Sequence, residues 1–307
     1  MRVGLTSPST ERIVEQAEAA EAGGFDYFGC GEHLFFHGPT PNSFIHLAAA
    51  AGATKSIRLI SSIALLPLYP PAIAAKLVAT LDKVSNGRFD FGVGAGGEFP
   101  PEFHAVGIDP ATRFRRLEES LLLMESLFTE GPTTFQGEFV SVDGLTLYPR
   151  PVQVGGPPVW LGGRKPGALR RAARYADVWL PYMSTPESLQ TGLDEVKNKA
   201  EEFGRSRDEV TGSLLIWTCV DEDGDWAREH GIRVVSEGYE QDFAPLADKY
   251  LAVGTPEEIV ARLREFEDAG AESVLIQLAA DDANRDRVVT TLIEQVLPKL
   301  QQPSRRR

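Results

Sequence analysis

Short apolar runs alternate with longer stretches whose apolar residues recur at helical spacing, from the first residues of the chain almost to its last. Residues 2–5 read as a strand and 10–22 as a helix, which Gly23-Gly24 ends without a β-carbon penalty. Residues 25–29 predict a second strand and 44–54 a second, alanine-rich helix. The near-continuous apolar run 58–66 has the pattern of a strand buried on both faces of a parallel sheet. Residues 71–85 predict a third helix, stopped by Asn86-Gly87, and 88–93 alternate through Phe89, Phe91 and Val93 as a fourth strand. In the fourth helix Phe114, Leu117, Leu121, Met124 and Phe128 fall along one face.

The period changes over residues 133–148, where Gly137 and Asp143-Gly144 punctuate short β runs and predict an inserted hairpin. Alternation resumes with strands at 158–161 and 177–180 around a helix at 166–175. Thr185-Pro186 gives an N-cap followed by proline at the first helical position. Thr255-Pro256-Glu257-Glu258 repeats the device with a capping-box glutamate, and Ile259, Leu263 and Phe266 form the buried face of that helix. Residues 210–220 and 273–278 read as strands seven and eight, while 221–252 hold no strong strand and predict a helical excursion. Eight strands alternating with helices are what a (β/α)8 TIM barrel with insertions requires. The competing α/β architecture, a doubly wound open sheet, would supply fewer units in one domain. With no flexible Gly/Ser linker, residues 1–307 are expected to form one domain.

Composition narrows the function. Hydrophobic residues make up 42% and charged residues 24% of the chain, ordinary usage for a packed globular protein. No apolar run approaches the roughly 20 residues of a membrane span. Met1-Arg2-Val3-Gly4-Leu5 runs into a strand without a signal-peptide core, so a cytoplasmic location is expected. A net charge of −13 argues against nucleic acid or an anionic membrane as partner. Cys30 and Cys219 lack disulfide or metal-ligand spacing, and Cys30, in a strand, reads as a buried free thiol. The Arg305-Arg306-Arg307 tail reads as a solvated end.

In a barrel the chemistry belongs on the loops after the strands. Strand two ends in Gly29-Cys30-Gly31-Glu32-His33, a sharp turn that leaves a carboxylate beside an imidazole able to exchange protons near neutrality. A histidine that merely caps a loop fits the same residues. Strand four ends in Gly92-Val93-Gly94-Ala95-Gly96-Gly97-Glu98, small enough for a flat ring or phosphate to approach the backbone. Pro100-Pro101 follow, so this is no dinucleotide fingerprint opening a helix, and a tight loop without ligand is the plain alternative. Strand five ends in Leu161-Gly162-Gly163-Arg164-Lys165-Pro166, which offers backbone N–H groups, two cations and a helix start, either a phosphate cradle or a basic surface turn. Arg170, Arg171 and Arg174 read as solvated, and the four tryptophans as core or rim. His37, His46 and His104 form no metal cluster with His33, and no metal site is expected; hydrolase, metalloprotease and P-loop motifs are absent.

Taken in order and spacing, these strand ends resemble the bacterial luciferase-like flavin/deazaflavin oxidoreductase family. The resemblance runs from Val3 to about Leu297 and is densest in Gly31-Glu32-His33, in Ala79-Thr80-Leu81-Asp82-Lys83-Val84-Ser85-Asn86-Gly87-Arg88-Phe89, in Gly92 to Gly96, in Pro157 to Gly163 and in Gly254 to Glu258. It implies an eight-stranded barrel and either coenzyme F420 or FMN, with a texture nearer the F420-dependent branch. It implies His33 near the reactive face of the ring with Glu32 beside it as a second catalytic position. Ile63 and Ala64 fall on a strand-three bulge that in relatives holds a non-prolyl cis peptide behind the ring. Gly94, Ala95 and Gly96 would line the cofactor, and Gly162, Gly163, Arg164 and Lys165 would meet its phosphate end. Some deazaflavin dehydrogenases carry a glutamate where this chain has Gly97, and Glu98 stands one position later as candidate proton donor. Two further expectations follow: a small-molecule substrate, and a homodimer with a flavin or F420 reductase as possible partner. The readings are therefore an F420-dependent oxidoreductase, an FMN-dependent monooxygenase using reduced flavin and oxygen, or a barrel that binds flavin without turnover.

Overall fold

Eight parallel strands close on themselves in the computed structural model: β1 Arg2–Thr6, β2 Tyr27–Cys30, β3 Arg58–Ser61, β4 Phe89–Gly94, β5 Val159–Gly162, β6 Val178–Leu180, β7 Thr211–Val220 and β8 Ala271–Leu278. Each pairs with the next, and β8 returns to β1, so that Gly4 lies opposite Tyr27 on one side and Leu275 on the other. The structure describes residues 1–7, 11–36, 38 and 40–301. Thr10, where the first helix was expected to begin, His37 and the Arg305–Arg307 tail lie outside them.

The alternation in β4 shows how the strands sort their side chains. Phe89, Phe91 and Val93 join the apolar layer between sheet and helices. The two-residue period then turns Asp90, Gly92 and Gly94 toward the barrel interior. Tyr27, Ile60, Trp160, Val178, Leu180 and Leu275 pack together as a second cluster. Arg58 and Asp90, at the starts of β3 and β4, pair at 2.5 and 3.0 Å.

Strand three does not run to residue 66 as its apolar pattern predicts. A cis peptide joins Ser62 to Ile63, and the strand resumes as Ala64–Leu65, which also pairs with β4. The excursion after β7 contains the helix Gly224–Tyr239, and it contains a strand that its sequence pattern does not reveal. Leu251–Gly254 pairs with the second half of β7, from Trp217 to Val220. Its four residues are too few to show a period. β6 pairs with β7 through Thr211 and Gly212, with one further bridge at Tyr182–Leu215, so the excursion flanks β7 beyond that point.

Several residues of the densest motifs hold the scaffold. The fully buried Asp82 carboxylate accepts the N–H groups of Val152 and Gln153 and the Gln153 amide, at 2.6–3.0 Å, fixing the chain where it re-enters the barrel. The Arg88 guanidinium donates to the carbonyls of Ala51, Thr54, Ile57 and Ser85, closing the end of the helix Ser43–Ala53 where orphan carbonyls and the negative dipole end call for a cation. Thr255 and Glu258 form the reciprocal cap that the sequence predicts. The inserted hairpin pairs Thr133–Gln136 with Ser141–Leu145. Both cysteines are buried. Among the described residues, no helix is long and apolar enough to cross a membrane.

Candidate active site

The ends of β2, β4 and β5 meet around Ser62 and Ile63. A β-carbon at Gly31 would stand 3.0 Å from the Ser62 carbonyl oxygen; at Gly94 it would stand 2.2 Å from Ile63 Cδ1, and at Gly162 3.7 Å from that same atom. Three turns widely separated in sequence therefore share one mouth of the barrel, with the cis peptide between them. Gly96 takes φ +63°, and a β-carbon there would crowd Phe103 and Leu65. Ala64 is fully buried opposite Val93, and Ala95 is half-buried against the core. At the mouth Gly94 thus lets Ile63 pack directly on the backbone, and the half-buried Ala95 and Gly96 present no side chain larger than a methyl beside it.

His33 has a partner that sequence reasoning missed. Its Nδ1 lies 3.3 Å from both carboxylate oxygens of Glu102, which also accepts the Leu34 N–H at 3.2 Å. Glu102 is completely buried, whereas His33 keeps 19% of its side chain exposed. The imidazole stacks on Phe36 with centroids 4.3 Å apart. Glu102 sits in the short helix Pro101–Ala105 after the glycine turn of β4. The only local signal for it is a carboxylate in a first helical turn; nothing local ties it to residue 33.

Glu32, adjacent in sequence, faces a different set of groups. One oxygen accepts the Ser43 N–H and hydroxyl, the Tyr69 hydroxyl and the Asn42 amide, and the other accepts the Leu65 N–H. This buried carboxylate ties the turn after β2 to the start of the helix Ser43–Ala53 and to the strand Ala64–Leu65. Burial, then the charge of Glu32, pushes the Tyr69 phenol well above its ordinary range, so it stays a donor.

At the end of β5 the cations divide. The Trp179 indole N–H holds the Gly163 carbonyl at 2.9 Å, and Gly163 takes φ +103° into the helix Pro166–Tyr175. Lys165 is the exposed N-cap of that helix. Arg164 turns away over the Tyr182 ring, 5.3 Å from its centroid, and donates to the Met183 carbonyl. Arg171 does not extend into solvent as its sequence suggests. Its side chain is 14% exposed, and its guanidinium lies 4.2 Å from the Phe114 ring centroid. Arg113 lies against the same ring at the same distance. Burial lowers the pKa of Arg171, against the opposing pull of Glu118 at 3.7 Å. Arg113 Nε is buried without a partner and sits 2.8 Å from where a β-carbon on Gly97 would be. Helical spacing alone could not show that the half-exposed ring of Phe114 takes up both guanidinium groups.

Above the mouth lies a cleft of about 370 Å³ bordered by Phe36, Glu98, Arg164, Tyr182, Tyr239 and Phe243. Glu98 Oε1 accepts the Tyr182 hydroxyl at 2.5 Å, joining the loops after β4 and β6. Burial, then this hydrogen bond to Glu98, raises the Tyr182 phenol, which remains protonated. Of the residues singled out from sequence, the structure thus gathers His33, Ile63, Gly94, Ala95, Gly96, Gly162 and Gly163 at one mouth and places Glu98 and Arg164 on the cleft. Glu32 lies in the wall, and Lys165 at the surface.

Known proteins share this fold. The profile of the family described as luciferase-like monooxygenase matches residues 2–273. The chain is 28% identical to the F420-dependent glucose-6-phosphate dehydrogenase of Nakamurella multipartita, the match covering 94% of this chain and 92% of that protein. It is also 28% identical to the FMNH2-dependent dimethylsulfone monooxygenase of Pseudomonas fluorescens, over 84% and 79% of the two chains. Among solved structures, an F420-dependent secondary alcohol dehydrogenase holding an F420-acetone adduct superimposes with a TM-score of 0.81 at 25% identity, covering 98% of this chain and 99% of the other. With the closed barrel, the meeting of its strand-end turns and a profile match along most of its length, this chain belongs to the luciferase-like monooxygenase family of oxidoreductases.

Proposed function

We propose that the protein is an F420-dependent oxidoreductase that moves a hydride between coenzyme F420 and a small organic substrate, with His33 managing the accompanying proton. The observation that carries this reading is the meeting of Gly31, Gly94 and Gly162 around Ser62 and Ile63, with His33 two residues beyond Gly31. The residues present fit a flavin-like group. A flat ring finds the small residues Ala95 and Gly96, both half-buried, and an anionic end finds Arg113 and Arg171, whose guanidinium groups flank Phe114 and include one buried N–H without a partner. Two relatives support F420 in particular, the glucose-6-phosphate dehydrogenase over 94% of this chain and the alcohol dehydrogenase fold over 98%.

When bound, the cofactor supplies the hydride acceptor or donor. The chain's own residues supply the rest. In this reading Glu102 accepts the Nδ1–H of His33, which leaves Nε2 as the basic nitrogen for an alcohol proton at the mouth. In the reducing direction the same nitrogen returns a proton to a carbonyl oxygen. Glu32, with five donors on its carboxylate, acts in this reading by holding the turn that carries His33 rather than by exchanging protons itself. Glu98 borders the cleft and is oriented by Tyr182 toward the substrate side.

The second reading, an FMN-dependent monooxygenase served by a separate reductase, is favoured by the similarity to the dimethylsulfone enzyme over 84% of this chain. Titrating the full-length protein with F420 and with FMN, followed by cofactor fluorescence, separates the two. F420 is expected to bind more tightly by about tenfold or more, a difference of roughly 1.4 kcal/mol. Tighter FMN binding overturns the first reading in favour of the second.

A further inference from the structure

We propose that the cleft above the mouth is the substrate pocket and that it takes an uncharged, ring-bearing alcohol or ketone, not a phosphorylated sugar. The assignment rests on the oxidoreductase reading for its catalytic meaning, but the binding chemistry stands on the cleft alone. Five aromatic side chains line it: Phe36, Tyr182, Tyr239, Phe243 and Tyr250. They come from three separate places, the loop after β2, the loop after β6 and the excursion that follows β7. The aromatic lining is continuous at one end, where Tyr239 meets Phe243 with centroids 5.4 Å apart. Phe36 also stacks on His33, which puts the imidazole one side chain away from the cleft. A volume of about 370 Å³ lies within the range of about 300–1,000 Å³ usual for small-molecule sites.

The charges lining the cleft decide against a phosphate ester. Among the described lining residues, Glu98 is the acidic one and Arg164 the basic one, so their formal charges cancel. The guanidinium of Arg164 already donates to the Met183 carbonyl and covers the Tyr182 ring. A phosphate monoester brings up to about two negative charges at neutral pH. Among the described lining residues it would meet the Glu98 carboxylate and no second cation, at the cost of leaving water. An uncharged ring gives up little hydration and gains face and edge contacts from the aromatic wall. Its hydroxyl or carbonyl then has Glu98, Tyr182 and Gln241 as polar neighbours, the fixed groups that orient a ligand among the rings. Arg113 and Arg171 do not line the cleft; they cluster at Phe114.

Calorimetric titration of the full-length protein, with and without bound F420, tests the assignment using indanol, indanone and glucose 6-phosphate as probes. The ring compounds are expected to bind tighter than glucose 6-phosphate by about tenfold or more. Tyr239→Ala and Tyr250→Ala, each checked for an unchanged circular dichroism spectrum, are expected to weaken indanol binding about tenfold while leaving F420 affinity in place. Glucose 6-phosphate binding as tightly as the ring compounds overturns the assignment. So does a failure of both ring compounds to bind, or ring binding that neither variant weakens. If the ring compounds bind as expected while neither F420 nor FMN binds, the cofactor reading fails and the pocket assignment stands.

Discussion

Replacing Glu102 by alanine removes a carboxylate that no solvent reaches and that accepts from two groups, the imidazole of His33 and the N–H of Leu34. Hydrogen bonds to a charged partner are each worth about 1.5–3 kcal/mol, and the 3.2–3.3 Å lengths put these near the lower end. The loss is partly offset, because the carboxylate no longer has to be kept out of water. A net destabilisation of about 2 kcal/mol follows, small enough to leave the barrel folded. Turnover suffers more. Without Glu102 nothing holds the proton on Nδ1, so His33 presents its basic nitrogen to the mouth only part of the time and in a looser orientation. Positioned proton transfer contributes about 10²–10⁴-fold to a rate, and a drop in kcat of about 10²-fold is expected, with cofactor affinity unchanged. Glu102→Gln, which can still accept from Nδ1–H, should recover part of the loss. The direct assay is the ¹⁵N spectrum of the His33 ring: one tautomer, protonated at Nδ1, in the parent protein, and a mixture in Glu102→Ala. An unchanged tautomer together with unchanged kcat would refute the role assigned to this pair.

Three other outcomes are expected. Arg113→Ala and Arg171→Ala should each weaken F420 or FMN by about tenfold to a hundredfold, the value of a charge-assisted contact to phosphate; a cofactor analogue without the phosphate should bind parent and variants alike in an equilibrium titration. A methyl at Gly92 would stand 1.8 Å from the Ser61 carbonyl oxygen, so Gly92→Ala should cost about 3 kcal/mol or more in denaturant unfolding, whereas Gly52→Ala, with open space around an exposed helical site, should gain about 0.5 kcal/mol. Burial raises the Glu21 pKa, but hydrogen bonds from the Ile57, Ser56 and Lys55 N–H groups and the Ser56 hydroxyl outweigh it and hold the carboxyl at about 2. Because this folded value lies below the unfolded one of 4.5, Glu21 adds stability that is complete above that pH and is lost as pH falls toward about 2. Unfolding measured across that window should flatten in Glu21→Gln.

By itself the sequence determined the number and order of the barrel strands, the inserted hairpin and the helix caps, because periods of 2 and 3.6 and cap chemistry are set between near neighbours. It also determined that the turns after strands two, four and five open on one side, since parallel strands in a closed barrel all end at the same face. The tertiary structure alone decided which side chains meet there. His33 and Glu102 are 69 positions apart, and Glu98 and Tyr182 are 84 apart. The inward turn of Arg171 depends on a ring from another helix, and the strand Leu251–Gly254 exists because β7 offers it a free edge. Such contacts depend on how distant elements pack, and no local pattern encodes the direction in which a loop side chain then points.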